Sequence, residues 1–249
     1  MQLLAFDTST ERMSIAVART QGGQSRLWEY TGAGGAQASV ALLPKILDLM
    51  AQAGLGFADL DAICFGCGPG AFTGLRTACS VAQGLGFGAQ GGPGGKEIPV
   101  LPVDTLLVLA EEARHRVGGA NGARVLSMLD ARMHEVYSAP YQFDGLRWQR
   151  LQDFRLCGAA ELALPEAWPD TGPLLAGNVF TTFAAQLALP AGLLRVDALP
   201  CAAAILRLAP TLLADGLAVA PDQAMPIYIR DKVAHTTLER AAIKAAAGG

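Results

Sequence analysis

The sequence is short of charge: only 16% of its 249 residues are Asp, Glu, Lys or Arg, and the formal net charge is -3. Such a chain has no overall positive field, whereas RNA binding rests mostly on neutralising phosphates with Lys and Arg. If a nucleic acid is involved, another chain is expected to grip it. Histidine is scarce as well, and His115, His134 and His235 are too scattered to suggest a metal site. Cysteine is odd in number, with Cys64, Cys67, Cys79, Cys157 and Cys201 in a chain too large to need disulfide staples, so reduced thiols are expected. The C-x-x-C spacing of Cys64 and Cys67 fits redox chemistry or half a zinc site, but no second pair follows. Small buried residues in a strand and its turn is the preferred reading. The amino terminus has no basic region and meets Asp7 before an export signal could develop. Residues 171–194 are uncharged but broken by Pro173 and Pro190, and they carry Asn178 and Gln186, which lipid would leave unsatisfied. No membrane span is expected, and the chain is read as cytoplasmic.

What is abundant is apolar: 51% of residues are hydrophobic, enough for two lobes sharing one interface. Residues 3–7 form an apolar run ending in Asp7, followed by a polar turn and the apolar run 13–18, which predicts a β-hairpin. The same grammar returns at 125–130 and 136–139, again with an Asp closing the first strand, so a duplicated architecture is expected. Between the hairpins the pattern predicts a helix over 37–53, a buried strand over 62–66, a helix over 73–87 and a strand over 100–103. A helix capped by Asp104 follows. Strands alternating with helices argue for α/β lobes with parallel strand pairs. The first lobe is expected at 1–103 and the second at 104–231, with a strand near 174–178 and a helix over 201–213 that packs back on the first lobe. A glycine-rich loop at 88–96 and a tail at 232–249 are expected to be loose.

The most informative segment is Gly66-Cys67-Gly68-Pro69-Gly70-Ala71-Phe72-Thr73-Gly74-Leu75-Arg76. It joins a buried strand to a helix N-terminus, where unpaired N–H groups can receive an anion. It lacks the Gly-Lys-Ser/Thr ending of a P-loop and the spacing of a dinucleotide fingerprint. The alternative is a tight connection in which Gly permits positive φ, Pro69 fixes a turn and Thr73 caps the helix. As a string, Gly-Pro-Gly-Ala-Phe-Thr-Gly-Leu-Arg resembles the signature of the TsaB (YeaZ) family, once called glycoprotease-like, with Ala71 in place of the usual Ser. Asp7-Thr8-Ser9, Leu42-Leu43-Pro44, Asp130-Ala131-Arg132 and Pro226-Ile227-Tyr228-Ile229-Arg230 match in the family's order.

The resemblance implies two lobes of duplicated actin-like (ribonuclease H-like) topology, α/β with mixed sheets and flanking helices. It also implies a non-catalytic scaffold subunit in the formation of threonylcarbamoyladenosine on tRNA. Such a subunit binds and activates the catalytic protein TsaD together with the ATPase TsaE, forms a homodimer in isolation and meets tRNA only through the complex. Two absences agree with this. Thr8-Ser9-Thr10 fills the position of a glycine-containing phosphate loop, and Asp104-Thr105-Leu106-Leu107-Val108 lacks the His-x-x-x-His pair of the catalytic paralogue. No catalytic residue, cofactor or metal is therefore expected. The alternatives are a nucleotide-dependent phosphotransferase or metallopeptidase-like enzyme of the same superfold, or a module holding a nucleotide near Gly177 and Asn178 without turnover.

Three polar residues stand out besides. Asp7 and Asp130 either face each other as an acid–base pair or, as preferred, accept hydrogen bonds from turn N–H groups. Arg76 opposes the dipole of its helix and is expected to pair with a carboxylate or a bound anion. On a helical projection of 37–53, Leu42, Leu43, Ile46 and Leu47 share an apolar arc covering about half the circumference, wider than the ~100° stripe of a one-sided helix. Ala78, Ala82 and Gly86 give the next helix a low ridge. In the resembled family these two helices meet partners, a role that carries over to Leu42, Ile46, Leu75, Ala78 and Ala82.

Overall fold

The fold is described from a computed structural model for residues 1–89, 97–119, 121–168 and 172–230. Most of the glycine-rich loop expected at 88–96, and the tail expected at 232–249, lie outside these residues. The apolar run at the amino terminus is β1 (Gln2–Asp7), buried on both faces after its first residue, as a central strand must be. It returns as β2 (Arg12–Gln21), with Asp7 opposite Ser14, and β3 (Gln24–Ala33) completes an antiparallel meander. After α1 (Ala38–Ala53), β4 (Ala62–Gly68) pairs parallel with β1, aligning Leu3 with Ala62 and Phe6 with Phe65. After α2 (Phe72–Gly88), β5 (Val100–Asp104) pairs parallel with β4. The resulting order is β3-β2-β1-β4-β5.

The chain then repeats this plan. After α3 (Thr105–Arg116), β6 (Arg124–Arg132) and β7 (Glu135–Phe143) form the second hairpin. The short strands β8 (Trp148–Arg150) and β9 (Arg155–Gly158) both pair antiparallel with β7, sharing the place that β3 fills alone. Finally β10 (Leu174–Gly177) and β11 (Leu194–Asp197) add parallel to β6 in turn. Both sheets are mixed and have one strand order, which is the duplicated α/β topology that the paired hairpins predicted.

Helices α1 and α2 cover one face of the first sheet, with Leu42, Ile46, Ala78 and Ala82 packed on Leu4, Phe6, Ile63 and Phe65. The last helix, α4 (Ala202–Ala214), covers the other face, where Ile205 and Leu208 meet Ala5, Cys64 and Val103. Helix α3 packs on the second sheet through Leu106, Leu109 and Ala113. Asp104 caps it as predicted, accepting bonds from the N–H groups of Leu106 (2.9 Å) and Leu107 (3.3 Å). Pro44 lies inside α1, which starts at Ala38. All five cysteines are free; Cys64 and Cys67 are buried on opposite faces of β4, and burial pushes the Cys64 thiol up to about 12. A thiolate nucleophile there is disfavoured.

Strands β3, β8, β9 and β11 had no clear signal in the sequence. β3 is largely solvated, so its residues were free of the strict alternation that a half-buried strand shows. A second unforeseen feature is the ion network between α3 and α4. Arg207 bridges Glu111 and Glu112, Arg114 pairs with Glu111, and Arg116 pairs with Glu112. These glutamates are buried, and their charge is tolerated because each accepts several charge-assisted hydrogen bonds.

Candidate functional site

The glycine-rich loop is filled by the chain's own first hairpin turn. A Cβ on Gly66 would stand 1.9 Å from Asp7 Oδ2, one on Gly70 would stand 2.6 Å from the Ser9 carbonyl oxygen, and one on Gly74 would stand 1.8 Å from that of Thr8. The three glycines recur every four residues, and together they form a slot for Thr8 and Ser9. The slot is fastened at both sides: Thr8 Oγ1 donates to the Gly74 carbonyl (2.7 Å), and the Ala71 N–H donates to the Ser9 carbonyl (2.7 Å). An amide that could have met an anion at the start of α2 is thus used internally. The helix begins at Phe72 with Ala71 as its N-cap and no side-chain cap, so the capping role expected of Thr73 is not found.

Asp7 is fully buried beneath this slot. Its Oδ1 accepts from the Ser9 N–H (3.0 Å) and Ser9 Oγ (2.8 Å), while Oδ2 has no partner among the described residues. Burial raises its pKa, against the lowering effects of the Ser9 bonds and of Arg12. Asp130 lines a cleft of about 180 Å³ between the two hairpin turns. Its Oδ1 accepts from the Arg132 N–H (2.7 Å), and its own N–H donates to Asn178 Oδ1 (2.9 Å). Asp7 does not line that cleft, so the two carboxylates are not presented there as an acid–base pair. At the rim, Arg132 approaches Glu11 to 4.0 Å.

The second turn holds a run that the sequence did not reveal. Arg132, Met133 and His134 all have positive φ, at 63°, 55° and 63°. Left-handed backbone costs a non-glycine residue about 1–2 kcal/mol. Arg230 holds the run in place, donating to the Ala131 carbonyl, to Met133 Sδ and to Glu135.

The five residues expected to meet a partner lie inside the chain's own core. Leu42, Ile46, Leu75, Ala78 and Ala82 are each at most 1% exposed. A wide apolar arc cannot be divided by sequence into the half that meets the sheet and the half that does not. The outward half of α1 is Val40, Leu43 and Leu47, exposed at 77%, 42% and 49%. The low ridge is spent internally too, for a Cβ on Gly86 would meet Pro221 at 2.6 Å. Arg76 has no carboxylate partner among the described residues; its guanidinium lies 3.9 Å from the Phe72 ring centre, and its Nε donates to the Tyr228 hydroxyl (3.2 Å). Among the described residues, no group of three His, Cys, Asp or Glu can hold a metal ion, and no helix is long and apolar enough to cross a membrane.

Asp104 joins the two sheets, ending β5 and accepting from the Tyr141 hydroxyl of β7 at 2.5 Å, with Arg150 at 3.5 Å. Burial is the main cause that pushes its pKa up to about 6 from 3.8, opposed first by the Tyr141 bond. A carboxyl whose pKa rises on folding favours the fold while protonated, and that contribution is lost as pH climbs through the folded value. Between about pH 4 and pH 7, Asp104 therefore removes ~3 kcal/mol. Asp104→Asn retains a capping side chain without the charge. Urea unfolding at both pH values should show wild-type stability falling relative to this variant as pH rises, and parallel curves would contradict the assignment.

The family model described as TsaD, tRNA N6-adenosine threonylcarbamoyltransferase, matches residues 35–168. The tRNA threonylcarbamoyladenosine biosynthesis protein TsaB of Escherichia coli (strain K12) is 33% identical over 244 residues, which is 94% of this chain and 96% of that protein. TsaB of Haemophilus influenzae is 38% identical over 137 residues, covering 55% of this chain and 52% of its own length. Among solved structures, YeaZ from Pseudomonas aeruginosa superposes with a TM-score of 0.77 at 35% identity, over 92% of this chain and 99% of that one. Shared sequence along almost the whole length, on a shared fold, means that the chain belongs to the TsaB (YeaZ) family.

Proposed function

We propose that this chain serves threonylcarbamoyladenosine formation as a cytoplasmic, non-catalytic subunit that docks on TsaD and works with the ATPase TsaE. The observation that carries the reading is the uncovered apolar face of α1, built from Val40, Leu43 and Leu47. Water-exposed Val and Leu on one helix face, beside a second helix, form a surface suited to another helix pair. Without TsaD, the same face pairs two copies of the chain. The filled glycine slot supports the non-catalytic part, since Thr8 and Ser9 occupy the space in which a phosphate would approach the loop. The lobes divide near Asp104, at 103/104, so the docking helices belong to the first lobe. The direct test is co-purification with the TsaD homologue, followed by a threonylcarbamoylation assay with each chain omitted in turn. Turnover without this chain would sink the proposal.

Gly84 lends further support. It is exposed in α2, and an added Cβ would meet nothing within 4 Å, so the fold itself gives no reason for a glycine there. Gly84→Ala should therefore stabilise the isolated chain by about 0.5–1 kcal/mol, seen as a higher urea midpoint. Gly84→Trp should leave the isolated chain folded and weaken assembly with TsaD, because the bulky ring blocks close helix approach. Undiminished assembly of the Trp variant would place the docking surface elsewhere.

A second reading concerns the cleft between the two hairpin turns, where Asp130 and Asn178 offer polar contacts to a nucleotide. Calorimetry with ATP and ADP tests it.

A further inference from the structure

The edge of the first sheet carries a groove of about 490 Å³ between the β2–β3 hairpin and the last turn of α1. Its polar lining is Arg19, Gln21, Gln24, Arg26 and Gln52, with Trp28 as its aromatic wall and no carboxylate among the lining residues. In a chain of net charge -3, a groove without an acid and with two arginines is a local exception.

Strand register makes the exception sharper. Arg19 of β2 stands directly opposite Arg26 of β3, so both guanidinium groups project from the same face. Like charges directly opposite on a sheet destabilise it. Arg19 is partly compensated, donating to the Ala53 carbonyl at the end of α1 (2.9 Å) and to Gln21 (3.1 Å). Arg26 has no carboxylate partner among the described residues; it is exposed, and its guanidinium lies 5.1 Å from the Trp28 ring centre. Two residues beyond Trp28 on the same face of β3, the Tyr30 ring has Lys45 of α1 at 5.3 Å, a side chain that also pairs with Asp48 (3.1 Å). Two neighbouring rings, each with a cation beside it, along an open strand edge suit a polymer of phosphates and flat bases. Gln21, Gln24 and Gln52 each add an amide that can donate to and accept from a base edge.

We infer that this groove is a contact site for single-stranded RNA, with Arg26 and Arg19 facing phosphates and Trp28 beside an unstacked base. The choice of RNA over an acidic peptide rests on the two cation-and-ring pairs, and on the proposed role in tRNA modification. It narrows the expectation that tRNA is met only through a partner: the complex supplies most of the grip, and this edge adds a local hold. Few phosphates are involved, so binding by the isolated chain should be weak and only mildly salt-dependent. Two arginines predict a slope of log affinity against log salt of about -1.4.

The test is fluorescence anisotropy of a labelled, mixed-sequence RNA of about 15 nucleotides titrated with the full-length isolated chain. Arg26→Glu should weaken binding at least tenfold. Arg195→Glu, the same charge change at an exposed arginine on β11 of the second sheet, should change it less than about twofold. Because Arg26 is exposed, both variants should fold, which circular dichroism checks. No measurable binding, equal loss in the two variants, or polyglutamate competing as well as RNA would each overturn the inference. TsaD is absent from this titration, so failure here leaves the docking proposal standing, and failure of docking leaves this one.

Discussion

Replacing Leu43 and Leu47 together by Asp should abolish assembly with TsaD, and pairing of two copies through the same face, while leaving the single chain folded. Both side chains are nearly half exposed on α1, beside the more exposed Val40, so neither supports the core. Exposed substitutions of this kind usually change stability by within about 0.5 kcal/mol. In a docked complex, however, two carboxylates would be driven into an apolar contact without partners, and uncompensated buried charge is among the costliest defects an interface can carry. A loss of about a hundredfold or more in affinity is expected, together with loss of threonylcarbamoylation in the reconstituted assay. Calorimetric titration against TsaD and urea unfolding of the free variant read the two halves separately. The contrast with Leu42→Asp matters: that residue is 1% exposed and packed on the sheet, so its variant would unfold and report nothing about docking. An intact complex with the Leu43 and Leu47 double variant would move the partner surface off α1.

Gly74→Ala should destabilise the chain by about 3 kcal/mol or more, although it adds one methyl group to a helix and alanine is the better helix former. The added Cβ would lie 1.8 Å from the Thr8 carbonyl oxygen, a backbone atom of the turn that follows β1, in a residue tied to α2 by the Thr8 to Gly74 hydrogen bond. Relief requires separating α2 from the β1–β2 turn. That movement would break the Ala71 to Ser9 bond and expose the buried carboxyl of Asp7. Gly84→Ala makes the same chemical change on the same helix with the opposite expected sign, so the pair controls for helix propensity. Urea midpoints for both variants provide the measurement. A Gly74→Ala protein within about 1 kcal/mol of wild type would mean that the slot is looser than its geometry indicates. The signature glycines thus act as a mould for the hairpin turn, which explains a glycine-rich loop in a chain without the other marks of a phosphate site.

The two hairpins illustrate what could be read before the fold was known. Asp7 ends β1 and Asp130 stands two residues before the end of β6, in equivalent hairpins, and apolar runs on either side of short polar turns set both strand pairs, because such runs are local. The Asp104 cap was likewise legible, since a cap acts within three residues. β3 was not, because a strand on a solvated edge takes its place from its neighbour's hydrogen bonds rather than from its own apolar pattern. The same edge supplies the opposed Arg19 and Arg26, seven residues apart in the chain and adjacent only through register.

By itself, the amino-acid sequence determined the order of the helices and of the buried strands, the duplication and the family, since these depend on local periodicity and on an ordered string of motifs. Only the tertiary structure decided which half of α1 faces water, that three glycines receive a hairpin turn instead of a ligand, and that Glu111 and Glu112 are buried with Arg207. Those outcomes depend on contacts between segments far apart in the chain, and a helix's apolar arc is the same whether a sheet or a partner lies against it.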